Sequence, residues 1–314
     1  MKIVTFKVGG LERTGILLQE RVIDFNAAYA LYLGEVEGED RPIELAEVKA
    51  PPNMNELLKG GRSTLKALSK AKSFIERLSE NKKLSLTDPS GRRIVYDAKD
   101  IKLMAPVPHP SKLLELALSY PGDPDRETTD PIFSPKGYEQ SIIGYGDIIR
   151  FPRESRELVS EIELGLIVGR RAYKVTDEDA YNFIAGYTVF NDTVDVDIVY
   201  QEKRRMHFRG DSFPTFAPIG PCLTLKEDIP DPNNLKVTCR INGEVKQTYK
   251  TRDMLFKVGK IVSFISRSLI LEPGDTISCG AHPGWRECII KPGDIVEGEI
   301  ESIGILRNPV ASEE

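Results

Sequence analysis

Two glutamates alternate with apolar residues at the start of a strand-like segment, residues 161–169 (EIELGLIVG). Successive side chains of a β-strand point to opposite faces, so the apolar even positions can enter a core while Glu161 and Glu163 share the other face. Two carboxylates held together at one end of a buried strand repel each other and are costly to desolvate, so a cation is required near them. The segment therefore predicts a divalent cation site in a β-rich core, unless the strand is a solvated sheet edge.

A third carboxylate follows further along the chain. The run GYTVFND, residues 186–192, reads as another strand and ends at Asp192. Three oxygen ligands that leave positions open for water and substrate suit Mg²⁺ or Mn²⁺. We therefore take Glu161, Glu163 and Asp192 as the candidate metal ligands.

Composition excludes several classes of partner. The net charge of −5 comes from 43 basic and 48 acidic residues mixed along 314 residues, without a basic patch, so we expect no nucleic acid partner. No apolar run approaches the roughly 20 residues that cross a bilayer, so we expect no membrane partner. The N-terminus reads directly into a strand rather than a signal peptide, which favours a cytoplasmic location. Four cysteines without a Cys-x-x-Cys pair are expected to be free thiols.

Proline-rich sequence near residues 104–111 divides the chain into two predicted domains. Residues 1–104 are expected to form a small α+β domain, with strands at 1–8 and 14–25 and helices at 26–33 and 63–78. Residues 105–314 are rich in short strands separated by turn signals. The whole is therefore predicted to be a mixed α+β, β-rich protein.

Local patterns in the second part predict individual elements. Asn242-Gly243 is a strong hairpin signal, and apolar residues recur at helical spacing within 254–269. Residues 141–149 read as a pair of strands around a turn. The polar, proline-containing stretch 122–137 is typical of a long loop that covers a site.

The ordered set of motifs resembles the fumarylacetoacetate hydrolase family over essentially all of residues 105–314. The resemblance is carried by Phe133, Lys136-Gly137, residues 141–144 (SIIG), 161–164 (EIEL), 186–192 (GYTVFND), 216–221 (FAPIGP), 242–244 (NGE), Gln247, Thr251, Met254, 291–294 (KPGD) and 304–309 (GILRNP). The specificity of the match lies in the joint order of these motifs, since each alone is common.

The resemblance implies a distorted β-barrel or roll core, with a compatible small N-terminal domain, and a homodimer. It also implies Mg²⁺, Mn²⁺ or Ca²⁺ held by Glu161, Glu163 and Asp192. Family members act on small-molecule 2-oxo acids and β-diketo acids by C–C hydrolysis, decarboxylation, tautomerisation or dehydration of 2-keto-3-deoxy sugar acids. The ion chelates the 2-oxo carboxylate and stabilises the enolate that these reactions share.

Several positions depart from the family pattern. Val196 stands where the family usually has an arginine, Asp211 where it has a lysine, and Ala281 where it has a threonine. The histidine that activates water in many hydrolytic members is missing after Tyr120, and a positioned proton acceptor contributes roughly 10²–10⁴-fold to such reactions. The charge reversal at Asp211 favours a different anion or a more polar, sugar-like substrate, unless Arg209 compensates.

The candidate catalytic residues are therefore Lys136, His282 and Asp211, with His282 as a proton shuttle because imidazole titrates near neutral pH. Lys136 is equally compatible with a surface lysine after a turn. The candidate substrate-binding residues are Tyr120, Tyr145 and Arg209, although both tyrosines are also compatible with packing at strand ends.

Three hypotheses of function follow. The favoured one is a metal-dependent hydrolase or isomerase of a 2-oxo acid or β-diketo acid. The second is a dehydratase or lyase of a 2-keto-3-deoxy sugar acid, which the missing histidine and the altered charges would suit. The third is a metal-binding scaffold with a degenerate site.

Overall fold

The computed structural model describes residues 1–80, 86–122, 130–137, 139–200 and 207–313. The α-helices are α1 Phe25–Glu35, α2 Pro42–Lys49, α3 Met54–Lys59, α4 Gly61–Glu80, α5 Val196–Tyr200, α6 His207–Gly210 and α7 Val258–Ser266. None of the described helices has the length and apolar character needed to span a membrane.

Strands make up most of the remaining regular structure. They are β1 Lys2–Val8, β2 Leu11–Leu18, β3 Arg21–Asp24, β4 Val95–Asp97, β5 Lys102–Leu103, β6 Leu113–Ala117, β7 Ile132–Pro135, β8 Ile142–Ile143, β9 Ile149–Phe151, β10 Leu158–Val168, β11 Ile184–Asp195, β12 Ala217–Leu225, β13 Lys236–Ile241, β14 Glu244–Lys250, β15 Thr276–Ser278, β16 Ile289–Ile290, β17 Ile295–Ile300 and β18 Gly304–Ser312.

The larger sheet runs through both predicted domains. Its order is β4-β3-β2-β1-β12-β11-β10-β15-β6-β7, with β5, β8 and β16 attached to β1, β12 and β10. The N-terminal hairpins join the rest where β1 pairs antiparallel with β12 and Ile3 lies opposite Leu223. The boundary at residue 104 stays a prediction, and hydrogen bonds of one sheet cross it.

The smaller sheet packs on the larger one. Its order is β14-β13-β17-β18-β9, and Ile162 of β10, Val237 of β13 and Val296 of β17 are buried in one apolar core. Burial of such side chains contributes about 1.5–3 kcal/mol each. Neither sheet closes on itself among the described residues, so the core is a distorted and not a closed barrel. The predicted β-rich α+β class with a distorted barrel-like core is confirmed.

Several local predictions are confirmed. Asn242 and Gly243 both have positive φ, 54° and 81°, and join β13 to β14 as a hairpin. Helix α4 covers the predicted 63–78 and buries Leu68, Ala71 and Ile75 on one face. Helix α7 lies within the predicted 254–269. All four cysteines are buried and free.

Other local predictions need correction. Residues 14–25 form parts of two strands, since β2 turns back into β3 at Gln19, whose φ is 54°. Strands β8 and β9 do not pair with each other: β8 runs parallel to β12 and β9 parallel to β18. The stretch 122–137 contains β7, which pairs with β6, and residues 123–129 of the predicted covering loop lie outside the described residues.

Candidate active site

Two acidic residues face each other across β10 and β11. The register of this antiparallel pair places Glu161 opposite Asp192 and Glu163 opposite Phe190. Directly opposed side chains leave a sheet on the same face with Cβ atoms about 4.5–5.5 Å apart, and Glu163 follows Glu161 on that face. The structure therefore brings these three carboxylates to one face of the sheet, while their role as metal ligands stays a prediction.

Strand β10 is internal to the sheet, with β11 on one side and β15 and β16 on the other. The alternative of a solvated edge strand is therefore wrong. The predicted apolar face is confirmed, because Ile162, Leu164 and Leu166 are buried in the core between the sheets. The acidic face is covered as well: Glu163 is 1% exposed and Glu161 is partly buried.

Burial and mutual repulsion act on all three carboxyl groups in the same direction. The pKa of Glu163 is raised well above its ordinary value by burial and then by the charge of Asp192. The same two causes, followed by the charge of Glu163, raise the pKa of Glu161 well above its ordinary value. Burial also raises the pKa of Asp192, although Lys136 opposes the shift. Each carboxyl group therefore lies where its charged form is disfavoured.

Lys136 supplies positive charge to this cluster. Its side chain is fully buried, and Nζ forms an ion pair with Asp192 Oδ1 and lies 3.8 Å from Glu115 Oε2. Nζ also donates to the carbonyl oxygen of Asp211 at 2.7 Å. Burial lowers the pKa of Lys136, but the charges of Asp192, Glu115 and Asp211 outweigh burial and raise it above its ordinary value. The alternative of a surface lysine is wrong.

Glu115 is a member of this cluster that the sequence analysis missed. It lies on β6, is 6% exposed, and accepts from the Ser134 hydroxyl at 2.9 Å. Burial and then the charges of Asp192 and Asp211 raise its pKa well above the ordinary value, although the charge of Lys136 opposes the shift. The sequence did contain a signal, since Glu115 lies inside the apolar run LLELA. An acid in a buried strand is rarely unpaired, so its presence there indicates a partner.

Asp211 lies near Asp192 through their shared contact with Lys136, while its catalytic role stays a prediction. It is 3% exposed and accepts from the Ser212 hydroxyl at 3.0 Å. Its backbone carbonyl binds the same ammonium that pairs with Asp192. The segment that follows α6 therefore positions both a carboxylate and a carbonyl beside Lys136.

The loop after β15 approaches the other side of the cluster. Gly280 N–H donates to Glu163 Oε2 at 2.6 Å, so this loop and the strand β10 are joined at the acidic face. His282, two residues on, packs its ring against Tyr120 and Tyr249 with centroids 5.7 and 5.5 Å away. Its Nδ1 accepts from Gly284 N–H at 3.2 Å, which leaves the proton of the neutral ring on Nε2.

Tyr120 belongs to the same aromatic group. It is 1% exposed and forms an edge-to-face pair with Tyr249, with centroids 5.2 Å apart. Burial, followed by the charges of Cys279 and Glu163, raises the pKa of Tyr120 far above its ordinary value. Its hydroxyl therefore keeps its proton at neutral pH and remains a hydrogen-bond donor near Glu163.

Two predicted substrate-binding residues are placed differently. Tyr145 is 40% exposed in the turn between β8 and β9, and Arg209 is exposed on α6. Neither side chain makes a hydrogen bond or an ion pair with a described residue. Their predicted contact with substrate stays a prediction, and the structure does not bring them into the buried cluster.

The donor set of the cluster fits a hard divalent cation in its chemistry. Among the described residues, the cluster has one buried ammonium, that of Lys136, against five carboxyl groups: Glu115, Glu161, Glu163, Asp192 and Asp211. Within the described ranges, no three His, Cys, Asp or Glu side chains are already arranged so that they could hold a metal ion. In the described part of the chain, the buried Glu115 Oε2 has no hydrogen-bond donor, and its nearest cation, Lys136 Nζ, is 3.8 Å away. Oxygen ligands suit Mg²⁺ or Mn²⁺, and Asp192 would exchange its contact with Lys136 for such an ion.

Comparison with solved structures defines the class of fold. 5-Carboxymethyl-2-hydroxymuconate delta-isomerase from Mycobacterium smegmatis matches with a TM-score of 0.71 at 22% identity, over 100% of both chains. Maleylpyruvate hydrolase from Sphingobium sp. SYK-6, solved in complex with manganese(II) ion and pyruvate, matches with a TM-score of 0.71 at 20% identity, also over 100% of both chains. These chains share the β-rich α+β fold described above.

Sequence comparison gives the family itself. The model of the fumarylacetoacetate (FAA) hydrolase C-terminal region matches residues 120–311. Oxaloacetate tautomerase fahd2, mitochondrial, from Xenopus laevis is 30% identical over 325 residues, which cover 96% of this chain and 96% of the relative. The chain belongs to the fumarylacetoacetate hydrolase family, as its motifs indicated.

Proposed function

We propose that this protein is a divalent-metal-dependent enzyme that isomerises, tautomerises or hydrolyses a 2-oxo acid or β-diketo acid. The observation that carries the proposal is the register of β10 and β11, which sets Glu161 opposite Asp192 beside Glu163 and Lys136. The relative named oxaloacetate tautomerase supports it, and so do the similar structures named 5-carboxymethyl-2-hydroxymuconate delta-isomerase and maleylpyruvate hydrolase.

Glu161, Glu163 and Asp192 would hold the ion, Mg²⁺ or Mn²⁺. When bound, the ion supplies Lewis-acid polarisation of a 2-oxo carboxylate. The Lys136 ammonium, which is buried beside Asp192, would add a fixed positive charge where negative charge develops on a substrate oxygen. A preorganised charge of this kind, away from water, is worth about 10²–10³-fold in rate.

Proton transfer would be divided between two sides of the cluster. Asp211 is placed next to Lys136 and would accept a proton from the carbon beside the substrate carbonyl. His282 carries a proton on Nε2 when Gly284 N–H binds its Nδ1, and would return a proton from the opposite side. Tyr120, kept protonated by burial, would donate to a substrate oxygen. Tyr145 and Arg209 would have to approach the substrate from exposed positions.

Exchange of substrate C3 protons with deuterium tests this function, because proton removal beside the carbonyl is common to the proposed reactions. The enzyme with Mg²⁺ or Mn²⁺ is expected to accelerate exchange in pyruvate and oxaloacetate, as followed by NMR against the rate without enzyme. Glu163→Gln is expected to lose both calorimetric metal uptake and exchange. The exposed control Glu20→Gln should keep both. Metal uptake by the wild type without exchange in any 2-oxo acid would instead support the scaffold hypothesis.

A dehydratase or lyase of a 2-keto-3-deoxy sugar acid is the second candidate. Glu115 and Asp211 favour it, since their oxygens can accept hydrogen bonds from the hydroxyl groups of such a substrate. Loss of a hydroxyl group without C–C cleavage, followed by mass spectrometry of the product, would distinguish this reaction from hydrolysis or tautomerisation.

We also propose a cytoplasmic homodimer. The family resemblance is the support for the dimer. Light scattering of the purified protein coupled to gel filtration tests it, and a mass near 35.1 kDa would contradict it.

A further inference from the structure

Two buried side chains of β14 face the loop that carries His282. Gln247 and Tyr249 lie two positions apart, so they leave the strand on the same face. They are 7% and 6% exposed, whereas Thr248, which lies between them, is exposed. Strand β14 is the outer strand of the smaller sheet, so a strand outside the acidic cluster contacts the candidate active site here.

The Gln247 amide holds the turn that begins at His282. Its Nε2 donates to the carbonyl oxygen of His282 at 2.9 Å. A Cβ atom at position 284 would lie 2.9 Å from the same nitrogen, so this close approach requires Gly284. Gly284 N–H in turn donates to His282 Nδ1 at 3.2 Å. The amide therefore contacts both ends of the turn that brings a donor to the imidazole.

Tyr249 fixes the plane of the same imidazole. The two rings are stacked, with centroids 5.5 Å apart and an angle of 23° between their planes. The Tyr249 hydroxyl donates to the carbonyl oxygen of Ile162, which lies between two of the candidate metal ligands. The hydrogen bond at one imidazole nitrogen decides which nitrogen carries the proton. His282 is thus fixed both in its tautomer and in its orientation relative to β10.

Packing alone does not account for an amide at position 247. The carbonyl oxygen of His282 can only accept, so the amide nitrogen must face it and the amide oxygen must point away. That oxygen, Gln247 Oε1, is buried and has no hydrogen-bond donor among the residues that the structure describes. A buried acceptor without a donor is destabilising, and an apolar side chain of similar size would avoid this cost.

We propose that Gln247 and Tyr249 are positioning residues, which hold His282 with Nδ1 bound to the Gly284 amide and with the Nε2 proton available for transfer. The inference rests on the proposed function, because that function gives His282 its role in returning a proton. It extends the candidate active site to a strand of the smaller sheet, and it makes the effect of either residue on activity depend on His282.

Nuclear magnetic resonance of the Mg²⁺-loaded protein tests the tautomer without reference to activity. The chain has only three histidines, so the spectrum of ¹⁵N-labelled histidine is simple, and His282→Gln identifies the signals of His282. At alkaline pH, where neutral imidazole is the ordinary form, the wild type is expected to carry the proton on Nε2. Gln247→Met removes the donor and should give a mixture of both tautomers. An unchanged tautomer in folded Gln247→Met would overturn the assignment of Gln247.

The same spectrum has a control and a second variant. Thr248→Val changes an exposed position of the same strand and should leave the His282 signals unchanged. If Gln247→Met does not fold, Gly284→Ala displaces the amide from the other side, since its Cβ would meet Nε2 at 2.9 Å. This variant is also expected to mix the tautomers, and a wild-type spectrum for it would overturn the inference.

A double-mutant cycle tests whether Gln247 acts through His282. For C3 deuterium exchange with Mg²⁺, Gln247→Met is expected to lower kcat by up to about 10²-fold, the usual effect of a small misplacement, with KM nearly unchanged. In the His282→Gln background the same substitution should cause no further loss, because residues that act together are not additive. Additive losses would overturn the inference.

Tyr249 is tested by restoring its ring. Tyr249→Leu removes the stack on His282 and is expected to lower kcat, whereas Tyr249→Phe should recover most of the loss. Equal losses in the two variants would overturn the assignment of Tyr249. Wild-type exchange that His282→Gln does not slow would overturn the whole inference and leave the proposed function intact. Absence of wild-type exchange with any 2-oxo acid would overturn the proposed function itself.

Discussion

Gly298 of β17 lies directly against the side chain of Ile162 on β10. A Cβ atom at position 298 would come within 2.7 Å of Ile162 Cδ1 and 2.9 Å of Cγ2. Ile162 is also fixed through its backbone, because its carbonyl accepts from the buried Tyr249 hydroxyl. These contacts hold the segment between Glu161 and Glu163 on the smaller sheet, with the two carboxylates on the opposite face.

Gly298→Ala should destabilise the protein by about 1–3 kcal/mol, since overpacking of a core forces side chains or backbone to move. The movement is expected to weaken metal uptake as well, because Ile162 lies between two of the candidate ligands. Chemical denaturation and calorimetry measure the two effects. Adding Ile162→Val should recover part of the stability, and failure of this rescue would place the strain elsewhere.

Stability of the metal-free protein should fall as the pH rises above the ordinary glutamate value of 4.5. The pKa values of Glu161 and Glu163 are raised in the folded state, so the folded protein binds more protons than the unfolded chain between 4.5 and the raised values. Stability from these groups is therefore present at low pH and lost as they ionise.

Urea unfolding with a chelator, at several pH values above 4.5, measures this slope. Glu163→Gln should make it shallower by up to about 1.4 kcal/mol per pH unit, the contribution of one proton. Glu20→Gln should leave it unchanged, and parallel slopes for wild type and Glu163→Gln would contradict the prediction.

His282→Gln should lower the rate of deuterium exchange by roughly 10²–10⁴-fold, the usual contribution of a positioned acid or base. Metal uptake should be retained, because His282 contacts aromatic rings and the Gly284 amide rather than the carboxylates. Tyr249→Phe keeps the ring that stacks on His282 and is expected to cost less activity. An exchange rate that is unchanged in His282→Gln would remove this residue from the mechanism.

Lys136→Met should separate charge stabilisation from metal binding. The exchange rate is expected to fall about 10²–10³-fold, while calorimetric Mg²⁺ uptake persists because Asp192 no longer pairs with an ammonium. The matched control Lys174→Met, at an exposed lysine, should keep both properties. Loss of uptake in a folded Lys136→Met protein would show that the lysine organises the ligands.

The alternation of residues 161–168 was enough to predict a strand with its apolar face in the core and its acids together. The pairing of β10 with β11 also follows from their order along the chain, since strands that are neighbours in sequence often pair, but the register that sets Glu161 opposite Asp192 is seen only in the structure. The position of Glu115 cannot be predicted from the local sequence, because β6 joins this sheet by pairing in parallel with β15, a segment far along the chain. Such long-range pairing leaves no trace in local periodicity.

Local patterns also misplaced two elements. Residues 141–149 contain two short apolar runs around glycines, which favours a hairpin, but the partners of β8 and β9 are β12 and β18. In runs this short, backbone hydrogen bonds to longer strands outweigh the local turn signal. The order of family motifs carried information about the site that periodicity lacked, since it connected Lys136 and Asp211 with the metal candidates.

The pairing of β1 with β12 has a consequence for any shortened form of this protein. Removal of residues 1–104 would expose the backbone N–H and C=O groups of Leu223 and Thr224 that now bind β1. It would also uncover Ile167 and Leu225, which belong to the apolar core shared with the N-terminal helices. A bare strand flanked by apolar side chains invites intermolecular pairing, so the isolated C-terminal part should aggregate even though the family motifs within it are intact.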